Sequence, residues 1–439
     1  MTTVDTIIVG GGQAGLSISY HLTRQSRDHL VLEQADRLAE AWRNHRWDSF
    51  TLNTPNWQSQ LPGADHQSHD RDGFMSRNEI IAYLEQYAKR FALPVRLGTR
   101  VNRVERNARW ASHLISTADG ESILARNVVI AAGLYQKPKK PAFSAGFAAD
   151  IAQVHSDGYR NPQTLRPGAV LVVGSAQSGA QIAEELYEAG RKVYLAVGRA
   201  GRVPRRYRGR DANWWSDKIG LYDRTADSLP SPKARFAAKP LISGTKGGHT
   251  LNLHQFARDG VILLGRLQGV DNGKIMLAPD LHENLAKADQ HEAEFTKAVD
   301  AYVAKAGIVV PEETLPVLRD GFDLPETSEL DVRAAGITNV IWATGYGFDF
   351  SLVRLPILDG DGYPIQKCGV TGYPGLFFLG LPWLRNAKSG LIYGVGEDAA
   401  YIAQKIAADD QSSSPVKRHS ASPYQHEQQP HYRAPRHAR

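Results

Sequence analysis

The sequence has very little cysteine and no long apolar segment. Cys368 is the single cysteine among 439 residues, which excludes an internal disulfide, a redox pair of the CxxC type and a cysteine-rich zinc site. The longest apolar run, "GLFFLGLPWL", is too short to cross a bilayer as a helix and contains a proline. A strand is predicted to begin near Thr3, which leaves no room for a signal peptide. We therefore expect a cytoplasmic protein without a membrane span.

Residue patterns typical of metal sites and of side-chain catalysis are also lacking. His282 and His291 lie near several glutamates, but they do not form an HExxH motif. The stretch from Leu281 to Gly307 has the pattern of a surface helix, and we predict that it binds no metal. No Ser-His-Asp set and no well-spaced carboxylate pair stands out. The lack of these side-chain sets is what we expect of an enzyme in which a bound cofactor carries out the chemistry.

Positive charge is concentrated at the C-terminus. The chain has a formal net charge of +6, and its last 28 residues hold five Lys or Arg residues against one Glu. The remaining body is close to neutral, so the composition gives little support for a nucleic-acid-binding surface. Residues 411–439 are rich in Ser, Pro, Gln and His, and we predict a disordered basic tail there.

A glycine-rich turn follows the first predicted strand. The apolar run ends at Val9, and the turn reads Gly10-x-Gly12-x-x-Gly15 before a helix that starts near Gln13. Gly10 permits the tight turn, Gly12 lets the backbone approach a pyrophosphate, and Gly15 lets the helix pack against the strand. The free N–H groups at the start of this helix favour an anion. The turn therefore predicts a dinucleotide site.

The next predicted strand identifies the kind of dinucleotide. The segment "HLVLE" ends at Glu33, eighteen residues after Gly15. A carboxylate at this position accepts hydrogen bonds from the two ribose hydroxyls and repels a 2′-phosphate. The first turn is therefore predicted to bind FAD or NAD rather than NADP.

A second, imperfect copy of this turn lies in "LVVGSAQSGAQIAEEL". Its order is Gly174-x-Ala176-x-x-Gly179. The methyl group of Ala176 is expected to push a pyrophosphate slightly outward, since it replaces the glycine of closest approach. Arg199, twenty residues after Gly179, is interpreted as the counterpart of Glu33, and a guanidinium suits a 2′-phosphate. We therefore predict a permanently held FAD at the first turn and an exchanging NADPH at the second.

Arginines continue beyond Arg199. The further positions are Arg202, Arg205, Arg206, Arg208 and Arg210. One or two of them, with Arg205 as the candidate, are predicted to clamp the 2′-phosphate and to steer a polyanionic cofactor. The alternatives are a solvated basic loop and, with less support, a nucleic-acid patch.

Two more predicted strands end in short glycine turns. These are "NVVIAAG", which ends at Gly133, and "NVIWATGYGFD", which contains Thr344 and Gly345. Each is expected to bring a glycine close to a bound dinucleotide. With the two longer turns, they resemble the two-dinucleotide-binding flavoproteins, and among them the flavin-containing (class B) monooxygenases. The resemblance covers the chain from about Thr3 to Ala407.

Two segments carry this resemblance in detail. "EAWRNHRWDSFTLNTP" is similar to the family's Trp-Arg and Asn-Thr-Pro segments, which implies that Trp42 and Arg43 lie against FAD and that Asn53, beside Thr54, places its amide near the reactive edge of the flavin. "ADIAQVHSDGYRNP" resembles the linking signature of the family and keeps His155 and Tyr159, which implies that both connect the domains and position nicotinamide.

The Phe and Gly of that linking signature are replaced by Ala149 and Ile151. Tyr159 followed by Arg160 is closer to the heteroatom-oxidising members than to the Baeyer–Villiger members. Near the C-terminus, "GLFFLGLPWLRNAKSGLIYGVGEDAAYIAQKIA" resembles the last FAD segment. A helix predicted to start near Gly396 would aim its N-terminus at the flavin ring and stabilise negative charge there.

The candidate catalytic residues are Asn53, His155 and Tyr159. The predicted cofactor-binding residues are Gly10, Gly12, Gln13, Ala14, Gly15, Glu33, Trp42, Arg43, Thr54, Gly133, Gly174, Ala176, Gln177, Ser178, Gly179, Arg199, Arg205, Thr344, Gly345, Gly380 and Gly396. No residue is predicted to bind a metal.

The predicted fold is α/β, with two Rossmann-like dinucleotide-binding domains and the NADPH domain inserted into the FAD domain. The expected boundaries are 1–160 and 325–410 for the FAD domain and 161–324 for the NADPH domain. The resemblance implies that NADPH reduces FAD, that O₂ then gives a flavin hydroperoxide, and that one oxygen atom passes to a small organic substrate. The alternatives are a flavoprotein reductase that passes electrons to an external carrier and a non-enzymatic flavin redox sensor.

Overall fold

The computed structural model describes residues 2–64, 70–107 and 112–413, with side chains up to residue 408. The helices are α1 (Gln13–Arg24), α2 (Glu40–Arg43), α3 (Arg77–Arg90), α4 (Gln177–Glu188), α5 (Ala212–Lys218), α6 (Leu253–Arg258), α7 (Leu281–Ala306) and α8 (Ile392–Ser413). The strands are β1 (Thr2–Val9), β2 (His29–Leu32), β3 (Val95–Arg96), β4 (Val101–Asn107), β5 (Ser112–Thr117), β6 (Ser122–Ile130), β7 (Lys137–Pro138), β8 (Ala152–His155), β9 (Ala169–Val173), β10 (Val193–Ala196), β11 (Arg206–Tyr207), β12 (Arg210–Asp211), β13 (Ile262–Leu264), β14 (Leu267–Asp271), β15 (Lys274–Leu277), β16 (Glu329–Asp331), β17 (Ile337–Trp342), β18 (Tyr346–Gly347), β19 (Gln366–Lys367), β20 (Val370–Thr371) and β21 (Leu376–Phe378).

Two parallel sheets organise the chain. The larger sheet has the order β19-β20-β21-β6-β1-β2-β3, with β5 paired to β6 and β4 paired to β5. Its strands β3, β2, β1, β6 and β21 are parallel. The second sheet contains five parallel strands in the order β13-β10-β9-β17-β8. Each glycine-rich turn follows the middle one of the five parallel strands in its sheet, β1 or β9. The predicted α/β class with two Rossmann-like sheets is confirmed.

Alternating side chains bury both faces of each sheet. Ile8 of β1 packs into the cluster that contains the helices α1, α3 and α8, whereas Ile7 and Val9 pack on the opposite face. In β9, Val170 and Val172 belong to the same cluster as Ile8, and Leu171 and Val173 lie in a separate core with β15. Because the helix-bearing faces of the two sheets share one core, the glycine-rich turns are held in a fixed relation to each other.

The sheets divide the chain at other points than the predicted boundaries of 160 and 325. Strands β8 and β17 both pair within the second sheet, so this domain runs from about residue 152 to residue 343. The two connections between the domains lie side by side, because β7 pairs antiparallel with β18. The sequence interpretation placed "NVIWATG" in the FAD domain because the family resemblance implied a boundary near residue 325. Strands on both sides of the second domain in sequence, β1 to β6 and β19 to β21, form the larger sheet.

The last helix begins four residues before the predicted start at Gly396. The start near Gly396 was implied by the family resemblance, and the glycines at 394 and 396 are unfavourable inside an isolated helix. Here they allow close packing, because a Cβ on Gly394 would lie 2.4 Å from the Lys388 oxygen and one on Gly396 would lie 2.9 Å from Pro62 Cγ. Burial of Ile392 and Val395 stabilises the first turn. The helix also extends to Ser413, into the predicted tail, whose residues 414–439 lie outside the described part of the chain.

The predicted surface helix is confirmed as α7, which ends in a left-handed cap at Gly307. His282 Nε2 lies 2.9 Å from the oxygen of Leu324, and His291 Nδ1 lies 3.0 Å from that of Arg202. Within residues 2–64, 70–107 and 112–413, no group of His, Cys, Asp or Glu side chains could hold a metal ion. None of the helices described in these ranges is long and apolar enough to cross a membrane.

We expect the free energy of unfolding to fall as the pH is lowered from about 7.5 to about 5.5. Burial lowers the pKa of five histidines: His21, His29, His113, His155 and His254. Below the unfolded pKa of about 6.5, the unfolded chain therefore binds protons that the folded chain resists. Three groups act in the opposite direction, because their pKa values are raised in the folded chain: His249 by its hydrogen bond to Glu184, and Glu185 and Asp398 by burial, the last to about 6. Urea unfolding at three pH values measures the free energy of unfolding as a function of pH. The decrease on acidification should be smaller in the His113→Gln variant than in the wild type. Stability that stays level or rises on acidification would contradict this.

Candidate functional site

The first glycine-rich turn is built by close backbone approaches. A Cβ on Gly10 would lie 2.4 Å from the oxygen of Ala131, and one on Gly15 would lie 1.9 Å from the oxygen of Gly10. Gly12 differs, because a Cβ there would have no atom within 4 Å. Gly12 also begins α1 without a side-chain cap, so the first N–H groups of the helix remain free for a ligand. This is the geometry that a pyrophosphate requires.

Glu33 lies directly after β2 and is fixed at this turn. Its Oε2 accepts from Gly11 N at 2.6 Å, and its Oε1 accepts from Ala35 N at 2.9 Å. The side chain is buried. The carboxylate therefore stands at the mouth of the turn, where a ribose hydroxyl could still donate to its remaining lone pairs.

The second turn repeats the same contacts. A Cβ on Gly174 would lie 2.7 Å from the oxygen of Ala343, and one on Gly179 would lie 1.8 Å from the oxygen of Gly174. Ala176 takes the place of Gly12 at the start of α4, again without a side-chain cap. Ser178 lies half-buried in the first turn of the same helix. The backbone geometry is thus equivalent, and the methyl group of Ala176 is the difference.

Strand register corrects the pairing of Arg199 with Glu33. Gly10 N donates to the oxygen of Leu32, and Gly174 N donates to that of Ala196, so these two acceptors are equivalent. Val197, one residue after Ala196, is therefore the counterpart of Glu33. Arg199 lies two positions further on.

An apolar side chain thus replaces the acid in the second site. Val197 is fully buried, and Gly198 N donates to Ser175 Oγ at 2.9 Å, which closes the strand end onto the turn. Arg199 follows at the exposed edge. Removal of the acid leaves the ribose edge open to a 2′-phosphate, and Arg199 is the first cation beside it.

Three of the six clustered arginines, Arg202, Arg205 and Arg208, already have acidic partners. Arg202 pairs with Asp289 and Glu292 of α7, and Arg208 pairs with Asp300. Arg199, Arg206 and Arg210 form no ion pair with any residue in the described part of the chain. Of the arginines expected to clamp a 2′-phosphate, Arg199 is the one adjacent to the second turn.

Arg205 lies elsewhere than expected. Its guanidinium is 2% exposed, pairs with Asp211 and stacks on the ring of Phe74 at 4.1 Å. Its Nη1 donates to the backbone oxygen of Asn53 at 2.8 Å. Because its charge is neutralised by Asp211, Arg205 is not free to bind a 2′-phosphate, and its place is beside Asn53.

Asn53 lies where the two domains meet. Its Oδ1 accepts from Gln181 Nε2 at 3.1 Å, and its backbone oxygen also accepts from Asn213 Nδ2 at 3.1 Å. The next residue, Thr54, shares a hydrogen bond of 2.7 Å with Ser59. Helix α4, which starts at the second turn, therefore contacts the segment that the family resemblance places at the flavin.

The Trp-Arg segment forms the short helix α2. Trp42 packs half-buried against Phe50, and the guanidinium of Arg46 lies 5.4 Å from the centre of the Trp42 ring. Arg43 pairs with Glu85 of α3 at 2.6 Å. These contacts anchor α2 on the helical layer of the FAD domain.

His155 and Tyr159 both lie in the second domain, close to its contacts with the FAD domain and with the interdomain connection. His155 Nδ1 accepts from Asp157 N, so Nε2 carries the proton and donates to the oxygen of Gly345 at 3.1 Å. Burial lowers the pKa of His155, which keeps the ring neutral. Tyr159 is 1% exposed, and its hydroxyl donates to Glu185 Oε2 at 2.7 Å. Both side chains thus have fixed structural partners.

The remaining predicted glycines lie at the carboxyl ends of strands. Gly133 and Gly345 have φ values of +84° and +77° and open space at the Cβ position. They occupy equivalent places, two residues after Ala131 and Ala343. Thr344 Oγ1 donates to the oxygen of Lys139, which ties the two interdomain connections together.

The C-terminal segment closes onto α1. Gln13 Nε2 donates to the oxygen of Gly390 at 3.2 Å. A Cβ on Gly380 would lie 2.6 Å from Ala14 Cβ, so the chain passes α1 without space for a side chain. Gly396 lies in the second turn of α8 and not at its start, which corrects its expected place at the helix terminus.

Sequence reasoning missed Gln181, Glu185 and Asn213. Gln181 and Glu185 follow the predicted Gln177 at intervals of four residues, so the helical period alone would have placed all three on one face of α4. The packing of the two domains determines which segment this face of α4 contacts. No local sequence pattern indicates that contact.

Comparisons with known proteins identify relatives of this chain. The family model described as pyridine nucleotide-disulphide oxidoreductase matches residues 7–209. The chain is 34% identical to the CzcO-like oxidoreductase of Geobacillus kaustophilus over 92% of its own length and 98% of that protein. It is 28% identical to indole-3-pyruvate monooxygenase YUCCA1 of Oryza sativa subsp. japonica over 44% of its length and 47% of that protein. The chain belongs to the same family as the CzcO-like oxidoreductase of Geobacillus kaustophilus.

A solved structure shows the same fold over nearly the whole chain. The flavin-containing monooxygenase of Stenotrophomonas maltophilia matches with a TM-score of 0.64 and 22% identity, covering 93% of this chain and all of that one. A solved steroid monooxygenase with a TM-score of 0.54 and 17% identity, covering 94% of this chain and 87% of that one, is bound to NADP. The open space at Gly12, the uncapped start of α1 and the fixed carboxylate of Glu33 fit an FAD pyrophosphate and ribose. The second turn with Val197 and Arg199 fits NADPH.

Proposed function

We propose that this flavin-dependent oxidoreductase uses NADPH and O₂ to insert one oxygen atom into a small organic substrate. The observation that carries the proposal is the contact between Gln181 of α4 and Asn53. It brings the helix that would hold the NADPH pyrophosphate against the segment that the family places at the reactive edge of the flavin. The bound flavin supplies acceptance of the hydride and activation of O₂.

The chain's own residues hold and orient the reactants. The two glycine-rich turns bind the two pyrophosphates through free N–H groups, and Glu33 binds the FAD ribose. Trp42 and Arg43, on the short helix α2, flank the FAD, and Asn53 presents its amide to the oxygen that is transferred. His155 orients the interdomain connection through Gly345, and Tyr159 orients Glu185, which accepts from Ser49 of the FAD domain. Neither residue is required to move a proton, because their polar atoms already have protein partners.

A loop from the NADPH domain packs against the segment that carries Asn53, and we infer that it limits the access of water to this half-buried residue. A Cβ on Gly244 would lie 1.9 Å from the oxygen of Leu52, so the loop touches this segment backbone to backbone. Phe74 and Arg205 pack beneath it, and both Gly247 and Gly248 have positive φ. A dry site favours transfer of oxygen to the substrate over its loss as hydrogen peroxide.

The test is a set of turnover measurements on the purified holoenzyme. NADPH oxidation, O₂ uptake, peroxide and oxygenated product are measured with amines, sulfides, indoles, 2-oxo acids and ketones. An indole-bearing 2-oxo acid belongs in the first set, since a relative is an indole-3-pyruvate monooxygenase by name. We expect at least one class to accelerate NADPH oxidation and to yield product with one oxygen atom from labelled O₂.

Two other outcomes would overturn the proposal. If NADPH oxidation yields only peroxide with every class, but is accelerated by ferredoxin or another external acceptor, the protein is a flavoprotein reductase. If NADPH is oxidised no faster than by free flavin under all conditions, the protein is a redox sensor.

A further inference from the structure

Helix α4 presents one polar stripe, formed by Gln181 and Glu185, to the FAD domain. The two residues are spaced by four and therefore lie on the same face, whereas Gln177, one turn earlier, bonds to Ile242 of its own domain. Glu185 Oε1 accepts from Ser49 Oγ at 2.8 Å, and Gln181 donates to Asn53. Ser49 and Asn53 belong to one short segment of the FAD domain. The stripe thus runs along the segment that carries the candidate catalytic amide.

The NADPH domain supplies the hydrogen bonds that hold Asn53. Asn53 accepts three bonds from described residues, and the donors are Gln181, Arg205 and Asn213. Two of these bonds fix its backbone oxygen. Gln181 alone contacts its side chain, at Oδ1.

An amide side chain needs such a contact to have a defined direction. The terminal torsion of Asn is broad and roughly two-fold, and a half-turn exchanges the donor and the acceptor. With Oδ1 held by Gln181, the Nδ2 group of Asn53 is left to donate elsewhere. Gln181 is 5% exposed, and its own Oε1 is buried without a partner among the described residues. An unpaired buried acceptor is costly, which favours a role in function over one in packing.

We propose that Gln181 is a positioning residue that fixes the amide of Asn53 with its NH₂ group directed to the site of oxygen transfer. The inference rests on the proposed function, because it takes Asn53 as the group that contacts the transferred oxygen. Since α4 also begins at the second glycine-rich turn, the same helix that binds NADPH sets the direction of this donor. Docking of the NADPH domain and retention of oxygen are thereby linked.

The first experiment replaces Gln181 with leucine, which has a similar size and no polar group. We expect unchanged flavin content and an unchanged rate of flavin reduction by NADPH. We expect the peroxide released per NADPH to rise by about three- to tenfold, the loss that one neutral hydrogen bond predicts. Gln290→Leu is the matched control, because Gln290 makes a comparable side-chain bond to Glu294 on the exposed face of α7.

A double-mutant cycle decides whether Gln181 acts through Asn53. In the Asn53→Ala background, Gln181→Leu should cause no further change in peroxide release. Additive effects of the two substitutions would overturn the proposal, and so would wild-type peroxide release by Gln181→Leu alone.

A spectroscopic measurement separates this inference from the proposed function. The visible absorbance of the bound flavin is recorded with and without NADP⁺, which requires no turnover. We expect Gln181→Leu and Asn53→Ala to cause the same shift and the double variant to add nothing. If the wild type yields no oxygenated product but these shifts coincide, the proposed function fails and the positioning role stands. If the shifts differ or add, the positioning role fails.

Discussion

Gly12→Val is expected to yield folded but colourless protein. A valine side chain would occupy the open space at the start of α1, where the FAD pyrophosphate fits. Forcing extra methyl groups into an occupied site costs about 1–3 kcal/mol or more, and each 1.4 kcal/mol lowers affinity about tenfold. We therefore expect the flavin-to-protein absorbance ratio to fall by at least about tenfold after gel filtration.

Gly12 is substituted rather than Gly10 or Gly15 because it alone of the three has space for a side chain. Gly10 and Gly15 would each collide with a backbone oxygen if they carried a Cβ, so their substitution would damage the fold as well as the site. Gly12 has φ near −81° and nothing within 4 Å, so valine is tolerated in the apoprotein. Gly360→Val is the matched control, because Gly360 also has open space and lies on an exposed turn.

Two outcomes would contradict the prediction for Gly12→Val. If Gly12→Val keeps a full complement of flavin and an unchanged absorbance spectrum, the first turn does not bind FAD. A variant that loses its fold as well, judged by circular dichroism, would contradict the open space that the structure shows at Gly12.

The glycine-rich turns could be predicted from sequence because their requirements are local. Gly15 must lack a side chain since its helix lies against the oxygen of Gly10, five residues earlier in the chain. Glu33 is likewise placed by one strand and one turn. The glycine-rich turn repeats in the second domain after β9, which is why the pattern predicts a second parallel sheet.

Features that depend on packing between distant segments could not be predicted. The start of α8 was misplaced, and the glycines that weaken an isolated helix are the ones that let it approach Pro62 and Lys388. Arg205 looked like a free cation in a basic cluster, and its partner Asp211 is near enough in sequence to be noticed. Its second contact, with Asn53, joins residues that are 152 positions apart.

The pairing of Arg199 with Glu33 shows that residue spacing alone does not identify structurally equivalent positions. Residue spacing alone suggested equivalence, since both follow a glycine-rich turn by about the same interval. Hydrogen-bond register moves the equivalence to Val197, because Leu32 and Ala196 accept from matching glycines. We therefore propose that the second site discriminates between NADPH and NADH through two features, the loss of the acid at Val197 and the gain of a cation at Arg199.

Arg199→Ala is expected to weaken the use of NADPH by roughly ten- to a hundredfold, because a charge-assisted hydrogen bond contributes about 1.5–3 kcal/mol and each 1.4 kcal/mol is tenfold. NADH lacks the 2′-phosphate, so its kcat/KM should change little. Compensation by the neighbouring arginines is limited, since Arg202 is already paired with Asp289 and Glu292 and Arg205 with Asp211. The measurement is kcat/KM for both coenzymes, for wild type and variant, at low salt.

Arg333→Ala serves as the control for the loss of one positive charge. Arg333 is an exposed arginine that pairs with Asp150, away from the second turn. It should leave both coenzymes unaffected, because its effect at a distance is screened beyond about 10 Å at 0.1 M ionic strength. The effect of Arg199→Ala should also shrink as salt rises, since the partner it removes is a phosphate at an exposed edge. An equal fall for NADPH and NADH would show that Arg199 does not contact the 2′-phosphate, and discrimination would then rest on the missing acid at Val197 alone.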